Sequence, residues 1–237
     1  MGAYGVWRVL SAAPEEVSLD AAVAAVKQQE ASNTDAGDEA VAGNKGTDAA
    51  GDAVSLNGVW RVDSDTGSFS FEESTGSFVG FRVKEELAKI GATTAVGRTD
   101  QVTGELSIDG SEIQTVSISA DLSSIVTNDS RRDSAARYAL NVKQNPTATF
   151  NLTQPLELPQ IDGSKVSVRA EGQLTVNAIT RDVNVDLDAQ LVDNTIVVVG
   201  STKVTFSDYD VTAPSAAIVL SVDDHGVVEF QLLFSRK

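Results

Sequence analysis

The sequence predicts an all-β fold: a closed antiparallel barrel of about eight long strands, with short helical inserts, behind a flexible N-terminal segment. Three observations carry this. Apolar and polar residues alternate with a period of two in run after run beyond Leu56. Several runs reach about ten residues, and a closed barrel disposes of the edges of such long strands. From Ala31 to Ser55 the chain is Ala, Gly, Asp, Asn and Thr, with almost nothing large to bury. That break separates the strand-rich region from what precedes it.

The elements follow in order. "MGAYGVWRVLSAAPEE" sets aromatic and apolar residues ahead of a polar stretch. It reads as the remnant of a membrane anchor, with an ordinary edge segment as the alternative. Ser18 can cap a short helix over "LDAAVAAVKQQE", because its hydroxyl can accept from an orphan amide of the first turn. The stretch from Ala31 to Ser55 is expected to be a flexible acidic linker. Residues 1–55 are thus assigned to a helix and linker, and residues 56–237 to the folded domain. Little of the N-terminal part is expected to contribute to the core. The pentapeptide GVWRV occurs at Gly5–Val9 and again at Gly58–Val62, but the match extends no further.

Within the domain, Val116, Ile118, Ala120 and Leu122 share one face. So do Val166, Val168, Ala170, Gly172, Leu174 and Val176, then Val183, Val185, Leu187, Ala189 and Leu191, and finally Val228, Phe230, Leu232 and Phe234. Strands with one dry and one wet face are typically antiparallel. Two inserts interrupt them. "EELAKIG" is read as a turn or two of helix ending at Gly91. The second insert begins at Ser130.

That second insert, "NDSRRDSAARYALNVKQNPTATF", is the most charged motif of the domain. Ser130 and Asp133 have the spacing of a capping box. Asp133 and Arg137 are four apart, acid first, the favourable order for a helical ion pair. Asn145-Pro146 forbids further helix. Arg131 and Arg132 oppose the dipole of a first turn, so they need an acidic partner elsewhere or a ligand.

Composition narrows the function. Of 237 residues, 41% are apolar, and the net charge is −16. Such a surface repels nucleic acid and gives no basic patch for anionic headgroups. There is no cysteine, which excludes disulfides, thiolate metal sites and cysteine nucleophiles. The single histidine, His225, sits in "VDDHGVV", read as a solvated turn between the last two strands. Asp208 and Asp210, with Asp223 or Asp224, could be read as a calcium site, but their spacing fits no EF-hand loop. No phosphate loop, nucleophile elbow or dinucleotide fingerprint occurs. A noncatalytic domain with no metal site is expected.

Four motifs in order resemble the YceI-like family, bacterial lipocalin-like proteins that bind polyisoprenoids. Arg132-Asp133 followed by Pro146, Thr149 and Phe150 is similar to its arginine-aspartate pair, helix and T-x-F strand. "GQLTVNAITRDV" is similar to its G-x-L-T hairpin signature, through Gly172, Leu174, Thr175, Val176, Thr180, Arg181 and Val183. "GVWRVD" and "FSDYDVTAP" resemble its opening strand and penultimate segment. Departures occur. Ala178 replaces a turn glycine and resists positive φ, which points to another turn type. Asp182 replaces a common proline, and Glu85 stands where many members carry histidine.

The resemblance implies an extended eight-stranded antiparallel barrel, lipocalin-like, with a long apolar interior. It also implies export, to the periplasm or cell surface, and a cargo of isoprenoid lipid or isoprenoid quinone. A side-chain-filled barrel acting as an interaction domain is the alternative. Candidate ligand-binding residues are Phe69, Phe71, Phe81, Ile118, Phe150, Leu152, Leu174, Leu187, Phe206 and Phe230. Arg131, Arg132, Asp133, Arg137 and Arg181 are candidates for a structural cluster or the barrel mouth. No cofactor beyond a bound lipid is implied, and the partner is a long apolar lipid. The state of association stays open, a dimer included.

Overall fold

The structure, a computed structural model, describes residues 13–35, 55–159, 163–214 and 219–236. Eight antiparallel strands close the barrel, in the spatial order β1 (Gly58–Val62), β4 (Val102–Asp109), β5 (Glu112–Asp121), β7 (Thr147–Leu152), β9 (Val166–Val176), β10 (Ile179–Val192), β11 (Thr195–Thr205) and β13 (His225–Ser235). Closure comes from β1 pairing with β13, Val62 opposite Phe234. β13 is long enough to serve two neighbours on that edge. Its C-terminal end takes β1, while Val227 to Gln231 pair with β2 (Phe78–Leu87). β3 (Gly91–Thr99) and the short β6 (Val126–Thr127) extend the sheet beyond β2. β8 (Leu156–Glu157) adds two residues to the edge of β5.

The inward core follows from the period-two pattern. Trp60, Leu106, Ile118, Ala120, Val198, Leu232 and Phe234 are buried together inside the barrel. The Trp60 indole N–H donates to Leu56 O at 2.8 Å, which satisfies its one polar group.

Four expectations are corrected. First, "EELAKIG" is not helical. β2 continues to Leu87, a three-residue turn follows with Lys89 at φ 68°, and β3 starts at Gly91 with φ 92°. A turn or two of isolated helix cannot compete with nine cross-strand residue pairs, from Val79↔Thr99 to Leu87↔Gly91. Second, the Asn177-Ala178 turn does take positive φ at both residues, 52° and 60°, despite the alanine. The registered pairing of β9 with β10, beginning at Val176↔Ile179, imposes it. Third, His225 does not mark a reversal. β12 (Val219–Val222) and β13 both run antiparallel to β2, so Asp223-Asp224 is a kink within one continuous course.

The fourth correction concerns the N-terminal part. Helix α1 (Leu19–Asp35) starts directly after Ser18, as its sequence implied, but it is not a bystander. Leu19, Ala22, Val23 and Val26 are buried against Val192, Val197, Val199 and Leu233 on the outer wall of the barrel. β11 carries the signal in its sequence: Ile196 to Val199 are four successive apolar residues, and such a run means burial on both faces. Residues 1–12 of the anchor-like start and 36–54 of the acidic linker lie outside the described residues.

Candidate functional site

Apolar side chains of β4, β5, β7, β9, β10, β11 and β13 enclose a cavity of about 120 Å³ along the inside of the barrel. Its wall is hydrocarbon apart from Thr149 and Thr202. Six of the ten residues named from the sequence line it: Ile118, Phe150, Leu152, Leu174, Leu187 and Phe230. Alternation placed them there, and the register confirms the shared face, with Ile118↔Phe150↔Leu174 in adjacent strands. Sequence reasoning passed over small and branched wall residues such as Ala148, Ala170 and Val185. Their positions in the same alternating runs were the available signal.

The other four lie elsewhere. Phe69 borders a separate, polar hollow of about 490 Å³, together with Ser64, Thr66, Ser68, Asp100 and Asp121. Phe71 lends its carbonyl to Arg98 Nη1 at 3.1 Å. Both belong to the irregular segment between β1 and β2, where alternation in "SFSFEES" carries no strand. Phe81 faces inward but lies over Gly97 of β3, outside the cavity wall. Phe206 opens a 3₁₀ turn, Phe206–Tyr209, and packs near Gly226.

The charged candidates do not converge on one centre. Asp129, not Ser130, caps helix α2 (Ser130–Ala139), its carboxylate accepting from Arg131 N at 3.1 Å. Arg131 folds back onto the same carboxylate at 2.9 and 2.6 Å. The Arg131 hydrogen bond holds the Asp129 carboxyl below the ordinary aspartate range. Asp133 accepts from the amide and hydroxyl of Thr127, at 2.9 and 2.7 Å, so it ties α2 to β6 instead of closing a capping box. Arg137 donates to Ile125 O at 2.9 Å rather than pairing with Asp133. Arg132 makes an ion pair with Glu85 at 2.5 Å, although its angles are not those of a hydrogen bond. Arg181 is exposed and donates to Thr180 O. Nearby, burial pushes the Tyr209 hydroxyl above the ordinary tyrosine range; Asp208 raises it further and Arg181 opposes.

His225 is exposed, with Nδ1 at 2.8 Å from Asp224 Oδ1 and Nε2 at 3.7 Å from Asp223 Oδ2. None of these three borders the cavity.

A cluster of buried charge lies on the outside wall. Glu229 is 2% exposed and accepts from Arg82 at 2.7 Å and from Arg98 at 2.8 Å. Arg82 also donates to Pro14 O, and Arg98 to Glu15 O at 3.0 Å. The Arg98 guanidinium lies 4.5 Å from the Phe78 ring centre. Every partner is remote in sequence, so no local pattern announces the cluster.

A closed antiparallel barrel with a hydrocarbon-lined lumen places the chain among barrels whose interior can enclose an apolar group. The family is now identifiable: the YceI-like domain model matches residues 60–234, and the chain belongs to that family. It is 29% identical over 118 residues to a UPF0312 protein of Pseudomonas aeruginosa strain LESB58, which covers 48% of this chain and 56% of the relative. The chain thus spans about half the length of the curated relatives it matches. Its fold is similar to that of a polyisoprenoid binding domain from Saccharophagus degradans implicated in plant cell wall breakdown, with TM-score 0.52 and 18% identity over 68% of this chain and 94% of that one. It is also similar to Burkholderia cenocepacia BcnA, with TM-score 0.53 and 17% identity over 73% and 98% of the two chains.

Proposed function

We propose that this chain is a noncatalytic carrier that encloses an isoprenoid lipid or isoprenoid quinone tail in its barrel, and that it works outside the cytoplasm. The observation that carries the reading is the hydrocarbon-lined cavity inside a closed barrel. Such a wall offers a polar substrate at most the hydroxyls of Thr149 and Thr202, and it rewards apolar chain at ~0.8 kcal/mol per buried CH₂. The polyisoprenoid binding domain of similar fold supports the choice of cargo, and family membership supports export.

The cavity's size keeps a second reading in play. About 120 Å³ is close to the scale at which an engineered apolar cavity accepts a benzene ring, so it holds roughly one or two isoprene units as it stands. A barrel filled by its own side chains, serving as an interaction domain, would have this property. Native mass spectrometry and solvent extraction of purified protein separate the two. The carrier reading expects a copurifying lipid, or uptake of added prenyl alcohols with affinity rising with chain length. Protein that takes up no apolar chain of any length would overturn it.

A further inference from the structure

We infer that Phe150 and Phe230 are the residues that set how long a chain the barrel accepts, because each ring is folded onto a glycine of the neighbouring strand. This rests on the carrier reading above. Both rings border the cavity. They come from β7 and β13, four strands apart in either direction around the eight-stranded wall, so they face the lumen from opposite sides. Phe150 leans across β9: a Cβ built on Gly172 would overlap its ring carbons Cζ and Cε2. Phe230 stands directly opposite Gly200 of β11, and a Cβ there would lie 2.5 Å from its Cζ. Each glycine is thus a recess in the wall that takes a ring edge. Neither glycine needs its freedom of φ, so the missing side chain is what matters at these positions.

The consequence is directional. With the recess present, each ring lies against the wall and leaves the axis of the barrel open. With a methyl group in the recess, the ring must turn away from the wall, and the space it can enter is the cavity. The present volume is small, so one displaced ring shortens the space left for a chain. Conversely, replacing a ring by leucine removes ring atoms from the wall and lengthens the space.

Gly97 provides an internal control. It carries the same arrangement under Phe81, where a Cβ would lie 2.5 Å from Cε1, yet neither residue borders the cavity. Alanine at Gly97 therefore displaces a ring that is not itself part of the cavity wall.

The experiment titrates prenol, geraniol, farnesol and geranylgeraniol into the full chain and reads binding by native mass spectrometry and calorimetry. The variants are Gly172→Ala, Gly200→Ala, Gly97→Ala, Phe150→Leu and Phe230→Leu. Wild type should gain roughly tenfold or more in affinity per added isoprene unit until the lumen is full. Gly172→Ala and Gly200→Ala should lose roughly tenfold or more for the longest alcohol accepted, with prenol changed less than threefold. Gly97→Ala should leave the length profile unaltered. Phe150→Leu and Phe230→Leu should move the plateau to a longer chain, and they test the idea even if the alanine variants fail to fold. An unchanged profile in the leucine variants, or equal losses at every length in the alanine variants, overturns the assignment while leaving the carrier reading intact. Wild type that binds none of the alcohols overturns both.

Discussion

Val26 is the most deeply buried of the described side chains of α1, 1% exposed, and its replacement by aspartate tests whether the helix is an integral part of the domain. It packs with Leu19, Ala22 and Val23 on Val192, Val197, Val199 and Leu233. Burial of these four helix side chains contributes about 6 kcal/mol gross. Ordering the helix offsets a large part of that. An aspartate at position 26 loses the valine transfer energy and adds an unpaired buried carboxylate. The helix can escape by undocking, so the loss cannot exceed its net docking free energy. We expect about 2–3 kcal/mol, read as a lower urea midpoint and a fall of about 5–10 °C in Tm. Val26→Ala should cost about 1–2 kcal/mol. Ala24→Asp, on the exposed side of the same helix, is the control and should cost well under about 1 kcal/mol. Hydrogen exchange of the α1 amides should accelerate in Val26→Asp and not in Ala24→Asp. Equal effects from the two aspartates would refute the docked helix.

Further outcomes follow from other parts of the structure. Glu229→Gln leaves Arg82 and Arg98 buried without their shared anion and should cost about 3 kcal/mol in urea unfolding; a loss below about 1 kcal/mol would mean that Pro14, Glu15 and Phe71 carbonyls suffice for both guanidiniums. Ala178→Gly should stabilise by roughly 0.5–1 kcal/mol, since alanine holds φ 60° there, and differential scanning calorimetry will show a raised Tm if the turn is as described. Acid should weaken the fold in a defined window. Hydrogen bonds from Arg131 lower the Asp129 carboxyl, and those from Lys165 and Ser167 lower Asp188. Burial alone would raise Asp63, but the amides of Asp65 and Thr66 and the Thr66 hydroxyl bring it below its ordinary value as well. Groups depressed on folding stabilise the native state above the ordinary value of 3.8, and that contribution is lost as pH falls through their lower folded values. The urea midpoint should therefore hold from pH 7 to about 5 and drop below about 4. Asp129→Asn should flatten the drop, and an equally steep fall in that variant would remove Asp129 from the account.

The strand faces were legible in the sequence because alternation is a local property of a pleated chain. Ile118, Phe150, Leu174 and Phe230 could be placed inward from their neighbours alone. Alternation does not say whether a strand exists: "SFSFEES" alternates as well as β9 does, yet without a partner strand it forms none, and Phe69 and Phe71 face other surroundings. It also does not say what covers the second face. The run Ile196–Val199 demanded a cover, but that α1 provides it depends on where a helix some 170 residues away can reach. Nor could any local rule pair Glu229 with Arg82 and Arg98, or Arg132 with Glu85, since a long-range ion pair leaves no periodicity in the chain. The cavity was the least legible feature. Composition and period fix which residues face inward, whereas the space left between them depends on where each side chain lies. Here Gly172 and Gly200, which look like weak points in strands when read along the chain, are the places where the barrel accommodates the rings of Phe150 and Phe230.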